Sequence, residues 1–381
     1  MTGDVVVTDV EVLILDGGAD YGSTLADGER SGPRLTCLIK VSTDAGVTGY
    51  ADVDSHPWLV KAAVEAPTHI PEFCAGLKDA VVGQSVSDRD ALWNRMYQHS
   101  WYHGRRGVVL HAMSGIDIAI WDIAGRLSGQ PVYDLLGGRR RDRVLAYAST
   151  LFRPTPDEMR EAVKHYLDLG FRAIKFGWGP WGGDPDLSIE LFAAARAEAG
   201  PEVLLMADGH ITGDLAAVRE LVHRLEDYDP FWVEEPFPAD RPDDLAALGR
   251  HAPVRIASGE QLGGVAEFRE LLREPGLSVV QPDLSRCGGF TAFRDIAALA
   301  TGPGCLVVPH AWTSHLLTAA AIQAAAWVPS GGYLEYNVSS APLARGLATG
   351  LRLTDGEVEV PAGPGLGVDV DLDLIDKYRV V

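Results

Sequence analysis

The chain of 381 residues is 46% hydrophobic and 23% charged, the mix of a globular protein and not of a disordered or fibrous one. Its 33 basic against 53 acidic side chains leave a formal charge of −20, which repels phosphate backbones and anionic lipid and sets nucleic-acid and membrane-surface roles aside. The length allows two or three domains, or one large barrel with an appendage.

In chain order, Val5 through Leu15 and Leu35 through Val41 read as strands, with Asp44-Ala45-Gly46 as the turn into the next extended run. Helical patterns follow at about 88–97 and 110–127. In the second, Met113, Ile116, Ile120, Trp121 and Ile123 recur at helical spacing before Gly129 and Pro131 stop it. The stretch Leu316 to Val328 is apolar but too short to cross a bilayer. No basic segment followed by an apolar core stands at the start, and the four cysteines (Cys37, Cys74, Cys287, Cys305) show no CxxC spacing. A reduced, cytoplasmic protein with its thiols in the core is expected.

From about residue 143 the rhythm changes. Eight apolar runs (RVLAYAS, AIKFGW, VLLMADGH, FWVEEP, VRIASGE, LSVVQPD, CLVVPH, GYLEYN) alternate with amphipathic helices, and no GxGxxG loop follows the first. The pattern predicts an α/β fold, a (β/α)8 TIM barrel with an α+β N-terminal capping domain. The boundaries expected are 1–132 for the cap, completed by 350–381, and 133–349 for the barrel.

From the second run onward, each ends near one titratable group: Lys175, Asp208, Glu234, Glu260, Asp283, His310 and Glu335. The intervals are 33, 26, 26, 23, 27 and 25 residues, about one strand-plus-helix unit each. Strand C-terminal ends of such a barrel converge on one face, so these seven side chains are expected in one ring. Any single acid there could be a helix N-cap, but seven in succession fit that explanation poorly.

Asp208, Glu234 and Glu260 fall on consecutive strands, and three neighbouring carboxylates cannot all stay ionised without compensation. A hard divalent cation supplies it: Mg²⁺, with Mn²⁺ as the alternative. Through such a cation an acidic protein can hold a small carboxylate substrate. Asp283 can fix the tautomer of His310 on the neighbouring strand and make it a general base. His210, two residues after Asp208, should share the cavity if the chain is still extended. Glu235 should point away as a supporting residue. Lys175, one of six lysines, could hold a substrate carboxylate oxygen or lower a neighbour's pKa. These parts fit abstraction of a proton α to a carboxylate, with a metal stabilising the enediolate.

With the segments AMSGIDIAIWDIAGRLSGQPVYDLLGG, WVEEP, ASGEQ, QPDLSRCGG and VPAGPGLGV, the chain resembles the mandelate racemase/muconate lactonizing enzyme branch of the enolase superfamily over nearly its whole length. The resemblance implies metal ligation by Asp208, Glu234 and Glu260, an Asp283–His310 dyad, Glu335 as the acid after the last strand, and Lys175 as the first lysine of a KxK motif. Gly177 stands where the second lysine would be, which argues against two-base racemisation. Asp208-Gly209-His210 is similar to the DxH of acid-sugar dehydratases, implying a Mg²⁺-dependent dehydratase of an aldonate or aldarate. In it His310 would take the C2 proton and His210 or Glu335 would protonate the departing hydroxyl. A racemase, epimerase or cycloisomerase is the alternative. The resemblance also implies a symmetric homo-oligomer, dimer to octamer, and two cap loops that select substrate. From these loops come the candidates Tyr21, Arg34, His56 and Trp58. Trp178, Trp181, Trp312, Phe152 and Arg153 join them after barrel strands. The chain end, 351–353 and 357–360, is expected to pair with the cap.

Overall fold

The computed structural model describes residues 4–18 and 34–381. The first strands, β1 (Val7–Asp16), β2 (Leu35–Thr43) and β3 (Thr48–Asp52), form an antiparallel sheet in the order β1-β2-β3. The β2–β3 turn is made by Gly46 at φ 73°. Two helices match the expected periodicities: Arg89–His99, capped by the Asp88 carboxylate on the Ala91 N–H, and Val108–Ser128, closed by left-handed Gly129. The second is apolar and long enough to span a bilayer, but 83% of its hydrophobic window is buried inside the protein. It lies against β2 and β3 at close range: a Cβ at Gly49 would stand 2.2 Å from the Ala119 carbonyl oxygen. Glycine is therefore required for the helix to seat on the sheet.

The expected (β/α)8 barrel follows. Its strands are β4 (Arg143–Leu151), β5 (Ala173–Gly177), β6 (Leu204–Asp208), β7 (Trp232–Glu234), β8 (Ile256–Ser258), β9 (Val279–Val280), β10 (Leu306–Val307) and β11 (Tyr333–Asn337). Each pairs in parallel with its successor from β4 to β10, and β11 returns to pair with β4. At the β10–β11 seam the Val307 N–H donates to the Ser330 carbonyl. A bridge between Asp283 and His310 continues the β9–β10 register past the strand ends. Tyr147, Ala173, Met206, Trp232, Ala257, Val279 and Val308 fill the barrel floor, with the Tyr147 and Trp232 rings edge to face at 5.5 Å. The floor is packed, so the chemistry is confined to the mouth above it.

The chain end departs from expectation. Leu353–Thr354 and Glu357–Glu359 form a hairpin that pairs with β4, not with the cap. The start of β4, Arg143–Leu145, projects beyond the point where β5 begins, at the Ala148↔Ile174 pair. That bare edge takes Val358 and Glu359 as partners. The helix Leu372–Tyr378 and the last residues reach the cap sheet, where the Val380 N–H donates to Ile14 O and the Ile14 N–H to Val381 O.

Candidate active site

The barrel strands place their terminal side chains in one cavity of about 330 Å³, lined by Lys175, Asp208, Glu260, His310 and Glu335 among others. Asp208 and Glu234 sit side by side in the β6–β7 register. Ligand atoms of Asp208, Glu234 and Glu260 all lie within 4.8 Å of one another, and all three side chains are buried.

Lys175 is only 2% exposed, and its Nζ stands 2.5 Å from Glu234 Oε1, 2.9 Å from Glu335 Oε1 and 3.2 Å from Asp208 Oδ2. Burial works against the ammonium, but these three carboxylates outweigh it and hold the pKa well above the usual lysine range. The sequence suggested a cation that either holds a substrate oxygen or lowers a neighbour's pKa, and the contacts favour the second. The structure spends that cation on the protein's own carboxylates, because three of them converge where β5, β6, β7 and β11 meet. Gly177 also has a local reason: a Cβ there would lie 2.9 Å from Asp208 Oδ2. Any side chain at the second KxK position would press on the Asp208 carboxylate.

One lysine does not balance this cluster. Burial lifts the carboxyls of Asp208 and Glu234 to about 7, with Glu260 adding to Asp208 and Asp208 to Glu234. Asp208 Oδ1 is buried without a hydrogen-bond partner. Glu234 is held from below, where the Trp232 indole N–H donates to its Oε2 at 2.8 Å. An unpaired buried oxygen in an all-carboxylate set is the donor chemistry of a hard divalent cation, so the residues fit the group.

His310 Nδ1 is 2.6 Å from Asp283 Oδ2, while Asp283 Oδ1 accepts from the Ser285 N–H at 2.6 Å and hydroxyl at 2.7 Å. With Nδ1 fixed in this way, Nε2 faces the cavity, 3.3 Å from Glu260 Oε2 and 3.8 Å from Glu335 Oε2. Burial opposes the imidazolium, yet Glu260, Glu335 and Asp283 together raise His310 well above the usual histidine range. Burial alone would push Glu335 up, but Lys175 and His310 hold it down at about 2. Its oxygens accept from the Ser149 hydroxyl at 2.7 Å and the Ala311 N–H at 2.9 Å, so it is an anchored anion.

Residues 158–374 match the model of the enolase C-terminal domain-like family, and residues 26–137 match that of the mandelate racemase/muconate lactonizing enzyme N-terminal domain. The chain belongs to the enolase superfamily, in its mandelate racemase/muconate lactonizing enzyme branch. It is 32% identical to a D-galactonate dehydratase of Ralstonia pickettii, over 90% of this chain and 91% of that one. A D-galactarolactone cycloisomerase of Agrobacterium fabrum is 30% identical over 91% and 92%. Among solved structures, the 3,6-anhydro-D-galactonate cycloisomerase of Zobellia galactanivorans superposes with a TM-score of 0.86 at 27% identity, covering 99% of this chain and 100% of that one.

Within this superfamily member, other expected site residues fall in different places. His210 does not line the cavity. Alternation fails because β6 ends at Asp208 and Gly209 turns the chain at φ 119°. His210 instead stands behind Trp178, ring centroids 5.3 Å apart, with Nε2 facing Gln261 Nε2 at 3.0 Å; burial lowers its pKa. Gln261 Nε2 also donates to Glu235 Oε2 at 2.9 Å, so Glu235 supports this side of the mouth as a turned-away residue. Trp178 and Trp312 line the cavity. Arg34 does not: its guanidinium forms two hydrogen bonds to the Asp16 carboxylate, at 3.0 and 2.9 Å. His56 is exposed at the start of the helix Pro57–Glu65, where Trp58 is 48% exposed, and neither lines the cavity. Phe152 and Trp181 are buried and stack on each other at 4.8 Å, while Arg153 donates to the Leu151 carbonyl at 2.6 Å. Tyr21 lies outside the described residues.

Sequence reasoning missed Arg286 and Asp54 as site residues. Both line the cavity, and Arg286 Nη2 lies 2.6 Å from Asp54 Oδ2. A signal for Arg286 was present: the turn after Asp283, closed by the Arg286 and Cys287 N–H groups on the Asp283 carbonyl, brings position i+3 back toward the mouth.

Proposed function

We propose that this chain is a divalent-cation-dependent dehydratase of a sugar acid, converting it to a 2-keto-3-deoxy acid. The observation that carries the reading is the opposition of a buried triad (Asp208, Glu234, Glu260) to a carboxylate-oriented imidazole whose Nε2 is 3.3 Å from one of the triad oxygens. Asp208, Glu234 and Glu260 would hold Mg²⁺, with Mn²⁺ as the alternative. When bound, the cation supplies a Lewis acid for the substrate carboxylate and compensates the charge that develops there.

The protein's own groups do the rest. Asp283 holds Nδ1 of His310, and with Glu260 engaged on the cation its pull on the imidazolium would fall, leaving Nε2 to take the C2 proton as general base. The electron pair left at C2 expels the C3 hydroxyl, and the resulting enol tautomerises to the keto acid. Lys175 draws the Asp208, Glu234 and Glu335 carboxylates together and offsets part of their charge, a positioning role. Glu335, anchored as an anion, orients the floor of the mouth beside His310. We assign protonation of the departing hydroxyl to His210, which movement of the Trp178 ring would bring into contact with substrate. The two imidazoles come from β6 and β10, on different sides of the barrel.

The D-galactonate dehydratase among the relatives supports elimination. The D-galactarolactone cycloisomerase relative favours, as second reading, an isomerisation through the same enediolate. The domain reading is part of the same proposal: 1–132 as cap, completed by the chain end 372–381, and 133–349 as barrel with the 353–359 hairpin on β4, in a cytoplasmic homo-oligomer whose four cysteines are unpaired. A screen of sugar acids with Mg²⁺, detecting 2-keto acids, tests the function. Formation of a keto acid supports dehydration, and isomerised sugar acid or lactone as sole product overturns it.

A further inference from the structure

The charges of the cavity are distributed unevenly. The carboxylates of Asp54, Asp208, Glu260 and Glu335 line it, and among the described residues Lys175 and Arg286 are its lysine and arginine cations. Lys175 is committed to Asp208, Glu234 and Glu335. Arg286 donates from Nη2 to Asp54 Oδ2 at 2.6 Å, from Nε to the Asp54 carbonyl at 3.0 Å and from Nη1 to the Glu260 carbonyl at 3.2 Å. The Asp54 N–H in turn donates to the Ser285 hydroxyl at 3.0 Å. Asp54 follows β3 and Arg286 follows β9, so this pair joins the N-terminal sheet to the barrel over the cavity. A carboxylate oxygen of Asp54 also lies within 4.8 Å of ligand atoms of Asp283 and His310.

A substrate carboxylate at Asp208, Glu234 and Glu260 is compensated by the cation those residues fit. A second carboxylate at the other end of the molecule would find no cation to itself among the described residues. It would meet the Asp54 anion, with Arg286 already neutralising that anion. For hydroxyl groups the same pair is favourable, since Asp54 accepts and the guanidinium, with five N–H groups and three engaged here, still donates. We propose that Asp54 and Arg286 are specificity-determining residues for the far end of the substrate, selecting a monocarboxylic aldonate with a neutral polyol tail over the dicarboxylic aldarate of the same configuration. The inference rests on the sugar-acid dehydratase reading.

The test uses the full-length protein with Mg²⁺ and matched pairs, such as D-galactonate with galactarate and D-gluconate with D-glucarate, extended to the remaining hexonates and pentonates. Keto-acid formation is followed for the wild type, and binding is followed by calorimetry to the His310→Asn protein. The expected result is that any acid bound is an aldonate, held at least tenfold more tightly than its aldarate partner. Asp54→Asn should narrow that ratio about tenfold by leaving the Arg286 charge uncompensated and free to meet the second carboxylate. An aldarate bound as tightly as its aldonate partner overturns the inference, and this wild-type comparison stands whether or not the variant folds. A folded Asp54→Asn protein with an unchanged ratio overturns the role of Asp54. Aldonate selection accompanied by C2 deuterium exchange without keto acid supports the charge argument and overturns dehydration. No binding by any member of the panel overturns both.

Discussion

Replacement of Lys175 by Met removes the one ammonium that touches Asp208, Glu234 and Glu335, while nearly preserving side-chain volume. Breaking a buried ion pair by deleting one partner costs about 3–5 kcal/mol. An unfolding entropy of about 2.1 cal/mol/K per residue gives about 0.8 kcal/mol/K for 381 residues, so the cost corresponds to a fall in Tm of about 4–6 °C. The full loss is expected in chelator at pH 8. Burial already lifts Asp208 and Glu234 to about 7 with Lys175 in place, from reference values of 3.8 and 4.5. The stability of groups raised in this way is fully present below about pH 4 and is lost as pH rises through about 7. The cation-free wild type should therefore lose Tm between pH 5 and pH 8, and Lys175→Met should lose more. Saturating Mg²⁺ should recover part of the deficit by compensating the same carboxylates. Differential scanning fluorimetry across pH, with EDTA or Mg²⁺, measures all of this. A Lys175→Met protein melting within 1 °C of wild type in EDTA at pH 8 would refute the reasoning.

Other outcomes follow from the same geometry. His310→Asn should lower kcat by about 10²–10⁴ with KM within a few-fold, and undiminished steady-state turnover would exclude His310 as the base. Asp283→Asn removes the carboxylate that fixes Nδ1 and should cost kcat up to about 10⁴, the scale known for an equivalent loss of tautomer control. His210→Asn should abolish keto-acid formation yet retain solvent exchange of the C2 proton, checked by NMR in D₂O; equal loss of both would remove His210 from the second proton transfer. Asp117, buried with its carboxylate on the Thr291 N–H (3.0 Å) and hydroxyl (2.6 Å), is pushed up to about 7 by burial. Its stability contribution is lost as pH rises from about 4 through about 7, so Asp117→Asn should flatten the Tm–pH profile over that window. An unchanged slope would contradict the assignment.

The ring was legible in sequence because a barrel repeats one strand and one helix, so titratable groups at strand ends recur at a readable interval. Asp208, Glu234, Glu260, Asp283, His310 and Glu335 needed only that period to be brought together. Local alternation served less well. It put His210 beside Asp208, but Gly209 at φ 119° ends the extended run first. The direction of Lys175 was not legible, since it depends on three carboxylates from other strands. The Asp54–Arg286 pair spans 232 residues and exists only once the loop after β3 lies on the barrel. The apolar pattern ending at Gly129 gave the long helix to within two residues. By contrast, the hairpin on β4 answers a bare strand edge that no local pattern announces.

The central claim is that His310 opens an elimination by taking the C2 proton. Incubation of wild type and His310→Asn with substrate and Mg²⁺ in D₂O, followed by NMR and mass spectrometry of product and recovered substrate, tests it most directly. The account expects the wild type to give a 2-keto acid carrying solvent deuterium at C3, and His310→Asn to give neither product nor exchange. Deuterium at C2 of recovered substrate with no keto acid from the wild type would contradict it.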